Sequence, residues 1–204
     1  GVTPLPFRRG AGPRAPRGTS PVQRHVGPAA LGSLILSGIG LSPKAYRRAS
    51  EEGDATQHCV AATLLGAIVL GLYLSRSISL VPQVLVLVEV VRAMAMLAVQ
   101  TSIVWILGRW VLRRQQSFAS VLRPVALAGA PGVLFALGAI PPVESAVGIA
   151  VPVWLLAAFV VAIRAALDCT WPQAVALALG VWLVEHAPGA LLTLMDAGPG
   201  VPSA

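Results

Sequence analysis

The chain has 204 residues, more than half of them apolar and only 11% charged. A water-soluble domain carries roughly 25% charged residues, so this chain lacks the polar side chains to clothe a soluble surface. The net charge is +7, and Lys44 is the only cation that is not Arg. The arginines sit in the flanks and loops of apolar segments, where topology signals lie, and no groove-reading motif accompanies them. Composition therefore points to an all-α, polytopic membrane protein and away from nucleic acid as a partner.

Residues 1–28 are rich in Pro, Gly and Arg and hold no acidic residue. Such a segment cannot bury enough apolar area to offset its ordering entropy, so it reads as a disordered basic tail lying along anionic lipid. Gly1 in place of Met fits either a native start or a truncated one. No signal-peptide pattern is visible, because the first long apolar run begins far from Gly1. The stretch from Ala29 to Leu41 is too short to span and is either interfacial or re-entrant. Ser42-Pro43 reads as an N-cap followed by proline at the first helical position. The helix it opens, Pro43–Glu52, carries Lys44, Arg47 and Arg48 at the membrane surface, with Tyr46 as an anchor.

Five longer apolar segments follow, near 59–74, 84–108, 124–140, 145–163 and 172–195. A spanning helix needs about 20 residues, so the first and third require their flanks. Interior Gly and Pro do not veto these segments, since membrane helices tolerate both. The eight Lys or Arg before the first span, then Arg109, Arg113, Arg114 and Arg123, and then Arg164 all fall on one side. The other side has Arg76, Glu144 and Asp196. The positive-inside rule then puts the N-terminus in the cytoplasm and the C-terminus outside, as an odd number of spans requires.

Ionisable residues within the apolar segments are the candidate site. Glu89 and Arg92, three apart on the second span, fall on one helix face. They form either an ion pair at the outer headgroups or part of a buried polar site. Glu185 and His186 lie past the middle of the fifth segment, shortly before Pro188-Gly189. Either they serve as a proton-relay or ion-coordinating pair, or Pro188 breaks the helix and the pair reaches the outer interface. All four residues lie toward the outer side and could cluster. The candidate lipid or partner surface is Lys44, Arg47, Arg48, Arg109, Arg113 and Arg114.

Nothing in the sequence has the form of a catalytic constellation, so no enzyme is expected: GxSxG, HExxH and paired carboxylates are all missing. Cys59 and Cys169 show no CxxC or Cys/His ligand spacing, so no metal or other cofactor is implied. The Gly38–Gly40 piece does not join a strand to a helix and reads as close helix packing or a turn.

Three pieces in order resemble the bacterial Yip-domain (Ypt-interacting protein) membrane proteins. LSPKAYRRASEEG at 41–53 is similar to that family's "xPxxxFRR" approach to the first span. SFASVLRPVALAGAPGVLFALGAIPPV at 117–143 resembles its "FxxLLR" lead into a third helix with a central Ala-Pro-Gly. VWLLAAFVVAIRAALDCTWPQAVALALGVWLVE at 153–185 resembles its fourth helix, "VRQALDxxxxxA" loop and fifth helix. Together these pieces cover most of residues 34–190. The resemblance implies a Yip-like transmembrane domain over 29–204 with a cytoplasmic N-terminus, in a bacterial cytoplasmic membrane. Two features depart from the pattern: Pro172 in the first turn of the last helix, and Glu185-His186 where uncharged residues are expected. The eukaryotic "DLYGP"-like signature is missing, so Rab-type GTPase binding is not implied.

The leading expectation is a non-enzymatic scaffold or membrane-organising protein. Its mechanism would be helix packing through small residues plus an Arg-rich face for lipids or other membrane proteins. The alternative is a small transporter or channel subunit with Glu185, His186, Glu89 and Arg92 along a polar path. The side toward which Glu185 points separates the two.

Overall fold

The computed structural model describes residues 28–76 and 81–196, with side chains over 31–76 and 81–185. Among the described residues every element is helical. Two short helices, α1 (Pro28–Ile39) and α2 (Pro43–Glu51), precede five longer runs. These are α3 (Thr56–Leu74), α4 (Pro82–Trp110), α5 (Phe118–Leu127) continued by a 3-10 helix (Ala130–Ala139), α6 (Glu144–Leu167) and α7 (Trp171–Asp196). Four segments are long and apolar enough to cross a membrane: Gly53–Leu74, Pro82–Trp110, Phe118–Ala139 and Pro141–Leu167. In α7 the described apolar stretch, Trp171–Glu185, is shorter than that. The protein is therefore built as a helical membrane protein.

Proline and capping chemistry set most of the helix starts. Pro43 opens α2 and Pro82 opens α4, where the missing N–H would have had no partner in any case. Ser42 takes the N-cap position of α2, although its side chain makes no cap bond. At α7 the Gln173 side chain reaches back to accept from the Thr170 N–H at 3.0 Å, half of a capping box. Asp168 ends α6 in the left-handed region, φ 46°, which short polar side chains tolerate.

The largest boundary difference from the sequence reading is at the third span. The third span begins at Phe118, not Pro124, because Ser117 caps it by accepting from the Ser120 N–H. Pro124 lies inside that helix. Of the two readings at Pro188, the break does not occur: α7 runs helical through it to Asp196, in line with the fifth segment near 172–195.

The third span is the centre of the bundle. Of its apolar window 61% is buried, against 22–39% for the other three. Its second half is a ten-residue 3-10 helix, where runs beyond three or four residues are uncommon. The reason lies in its period. Residues three apart eclipse one another in a 3-10 helix, which puts Gly129, Gly132, Phe135 and Gly138 on one straight face. That face lies along α3. Gly129 meets Thr63, and Gly132 meets Gly66 backbone to backbone. Phe135 meets Tyr73, with ring centroids 5.4 Å apart, and Gly138 sits under the Tyr73 ring. The Thr63 hydroxyl donates to the Ala126 carbonyl at 2.6 Å, where the α-helix gives way. Arg76 donates to the Gly138 carbonyl at 2.8 Å and closes the far end.

The ends of α4 and α6 meet the starts of α3, α5 and α7 at one Arg-rich end. There α2 packs against α5 and α6, with Tyr46 fully buried. Arg123 ties α5 to the Thr56 hydroxyl at 2.8 Å and to the Ser50 carbonyl at 3.2 Å. The end of α1 sits deeper. Gly38 abuts Ala130 and Leu127, and the Trp154 indole donates to the Ile39 carbonyl at 2.7 Å. Trp154 lies about 13 residues back from the end of α6, or ~20 Å along its axis. The contact holds the end of α1 against the middle of α6.

Candidate intramembrane polar site

Two helices carry polar residues onto otherwise apolar faces. On α7 the buried stripe Ala174, Ala178, Val181 recurs at spacings of four and three. The next residue of that stripe is Glu185. On α4 the spacing Glu89, Arg92, Met96, Gln100 gives one face in the same way. Glu89 is 8% exposed and pairs with Arg92, with Oε2 2.8 Å from Nε and 2.7 Å from Nη2. The pair keeps the carboxylate and the guanidinium from standing alone in an apolar setting, where either would cost several kcal/mol.

Both faces open onto one cleft of about 350 Å³. Its polar lining is Arg92 and Gln100 of α4, Glu185 of α7 and Thr63 of α3. Its walls are apolar and aromatic, with Met96, Phe135, Phe159 and Trp182, and Pro152 inside α6. Glu185 lies about 14 residues past Trp171, ~21 Å along the axis, and Arg92 about 18 residues before Trp110, ~27 Å. Thr63 lies about 7 residues past Thr56, ~10 Å, so the cleft runs along the bundle, with Arg92 and Glu185 in the part away from the Arg-rich end. It combines the Arg92 cation, paired with Glu89 outside the lining, with the Glu185 carboxylate, an amide and an aromatic wall. Such a set can hold a proton, an ion or a small polar solute within an apolar bundle.

The structure thus brings Arg92 and Glu185 to one cleft, with Glu89 behind Arg92. The His186 side chain lies outside the described residues. Sequence reading missed Gln100, Thr63 and Trp182 as lining residues. Gln100 was legible from its place on the Glu89–Arg92 face, whereas Thr63 enters only through the close approach of α3.

The expected basic surface is only in part a free surface. Arg48 pairs with Glu52 at 2.6 Å, one turn along α2. Arg47 and Arg114 converge on Asp168, the first on its carboxylate at 3.4 Å and the second on its backbone carbonyl at 3.1 Å. The Arg109 guanidinium lies 5.7 Å from the centre of the Trp105 ring. Lys44 and Arg113 are exposed. Nearby, burial pushes the Tyr46 phenol well above the ordinary tyrosine range, with Cys59 adding to it. Burial also raises the Cys169 thiol, opposed in part by a backbone hydrogen bond, Arg164 and Arg114. Among the described residues no cluster of His, Cys, Asp and Glu could hold a metal ion.

The helices define a class, an all-helical membrane-embedded protein, here with a cleft partly lined by polar side chains. No protein-family model, curated protein or solved structure matches the chain.

Proposed function

We propose that the chain is a five-span, non-enzymatic membrane protein of Yip-like architecture that conducts or transports a proton or small ion through the Arg92–Glu185 cleft. In this reading α7 is the fifth span, the Arg-rich end and the N-terminus face the cytoplasm of a bacterial cell, and the C-terminus is outside. The observation that carries the function is that Arg92 and Glu185, from different helices, line one cleft. A lipid-facing Glu185 would instead have favoured a scaffold. The order of the Yip-like motifs and the one-sided distribution of Arg support the topology.

Reconstitution into liposomes tests the reading. Proton and monovalent-ion flux are measured for the wild type, Glu185→Ala and Arg92→Ala. The expected result is flux in the wild type that falls at least tenfold in both variants. Wild-type proteoliposomes no leakier than protein-free vesicles would return the chain to the scaffold reading, whose partners crosslinking in the native membrane would identify.

A further inference from the structure

At the Arg-rich end a second pocket, of about 240 Å³, opens between α2 and α6, lined by Pro43, Lys44, Arg47, Val161, Arg164 and Ala165. Half of its lining is cationic, and no carboxylate belongs to it. We propose that this pocket binds a phosphate group, and that the phosphate is the headgroup of an anionic phospholipid.

The three cations are poorly neutralised by the chain itself. Lys44 and Arg164 have no salt-bridge partner among the described residues. The Arg47 contact with Asp168 is long, 3.4 Å, between side chains 63% and 73% exposed, and such exposed pairs contribute little. The Arg164 guanidinium is held with its carbon 4.5 Å from the centre of the Trp171 ring. Its Nε is buried and has no hydrogen-bond partner. Stacking on Trp171 therefore orients the guanidinium while leaving its N–H donors to another group. A planar guanidinium fork beside a lysine point charge is the donor set that recognises phosphate oxygens.

The position selects the lipid. Arg164 lies about one turn from the end of α6, the level at which headgroups meet a spanning helix. The other half of the lining, Pro43, Val161 and Ala165, is apolar and suits the glycerol and upper acyl carbons below a phosphodiester. Basic pockets between membrane helices are a recurrent means of holding anionic headgroups.

The test uses the full chain in detergent, with phosphatidylglycerol, phosphatidylcholine and inorganic phosphate as separate probes. Native mass spectrometry reads retained lipid, and thermal unfolding reads stabilisation. One phosphatidylglycerol is expected to stay bound, with affinity falling about fivefold for each cation removed in Lys44→Gln and Arg164→Gln. Arg109→Gln, which removes an equal charge at the same end but outside the pocket, is expected to change affinity less than twofold. Lys44 is exposed, so its variant reports even if Arg164→Gln disturbs packing on Trp171. An equal loss in Arg109→Gln would mean diffuse electrostatics and overturn the site. Retention of phosphatidylcholine as tight as that of phosphatidylglycerol would also overturn it. Stabilisation by inorganic phosphate alone, matching that of the lipid, would overturn the lipid assignment.

Discussion

Replacing Gly66 by Ala tests the packing that holds the third span in place. A Cβ on Gly66 would lie 2.8 Å from the Gly129 carbonyl oxygen and 3.3 Å from the Gly132 Cα. Both are backbone atoms, so no side chain can rotate away. The helices must part by several tenths of an ångström along the face that carries Thr63, Gly66 and Tyr73. Overpacking of this kind typically costs about 1–3 kcal/mol, and for a chain of this size roughly 2–4 °C of melting temperature follows each kcal/mol. A fall of about 2–12 °C is therefore expected for Gly66→Ala. The assay is thermal unfolding in detergent, read by a dye that fluoresces on reaching a buried thiol. Cys59 supplies the thiol, since it is free and fully buried. Gly180→Ala is the control, because nothing lies within 4 Å of a Cβ there, and its better helix propensity makes it neutral to slightly stabilising. A Gly66→Ala melting temperature within one degree of the wild type would refute the backbone-to-backbone contact.

Thr63→Val removes the hydroxyl that donates to the Ala126 carbonyl and should lower stability by about 1 kcal/mol, measurable in the same unfolding assay. Membrane-impermeant maleimide should label Cys169 from the side of the Arg-rich end, slowly because its thiol is raised by burial, while Cys59 reacts only on unfolding; mass spectrometry of the labelled chain distinguishes the two. The buried Tyr46 phenol has its pKa raised in the folded state, so above pH ~10, where unfolded tyrosine ionises, the unfolded chain binds fewer protons. Stability should therefore be intact below pH ~10 and fall as the pH climbs beyond it, and Tyr46→Phe should flatten that fall in melting curves taken from pH 9 to 11.

Much of the helical framework was legible in the sequence, since long apolar runs leave few alternatives to a spanning helix and Pro43 and Pro82 mark helix starts. The third span was legible but its start was not, because Pro124 resembles a helix start, whereas the hydrogen bond at Ser117 sets the true one. Its 3-10 half was readable in principle from glycines three apart, but that pattern has meaning only once α3 is known to lie against it. The cleft was half legible. Helical spacing places Glu89, Arg92 and Gln100 on one face, and Glu185 continues the Ala174–Ala178–Val181 stripe. That α4 and α7 turn those faces toward the same space is a tertiary fact with no local signal. Arg164 showed the reverse problem, because in sequence it is indistinguishable from an orientation signal, and only its stacking on Trp171 sets it apart.

The period-three half of the third span also changes how far the chain reaches. Ten residues wound as an α-helix rise about 15 Å, whereas as a 3-10 helix they rise about 20 Å. A segment that looks short for a bilayer by residue count thus gains roughly 5 Å, close to one α-helical turn. Rewinding it would draw Pro141 and Pro142 inward and pull the start of α6 toward the middle of the membrane. The Tyr73 ring over Gly138 and the Arg76 bond to its carbonyl sit where they would resist that shortening. The glycines therefore set the thickness that this protein spans as well as the closeness of its helices.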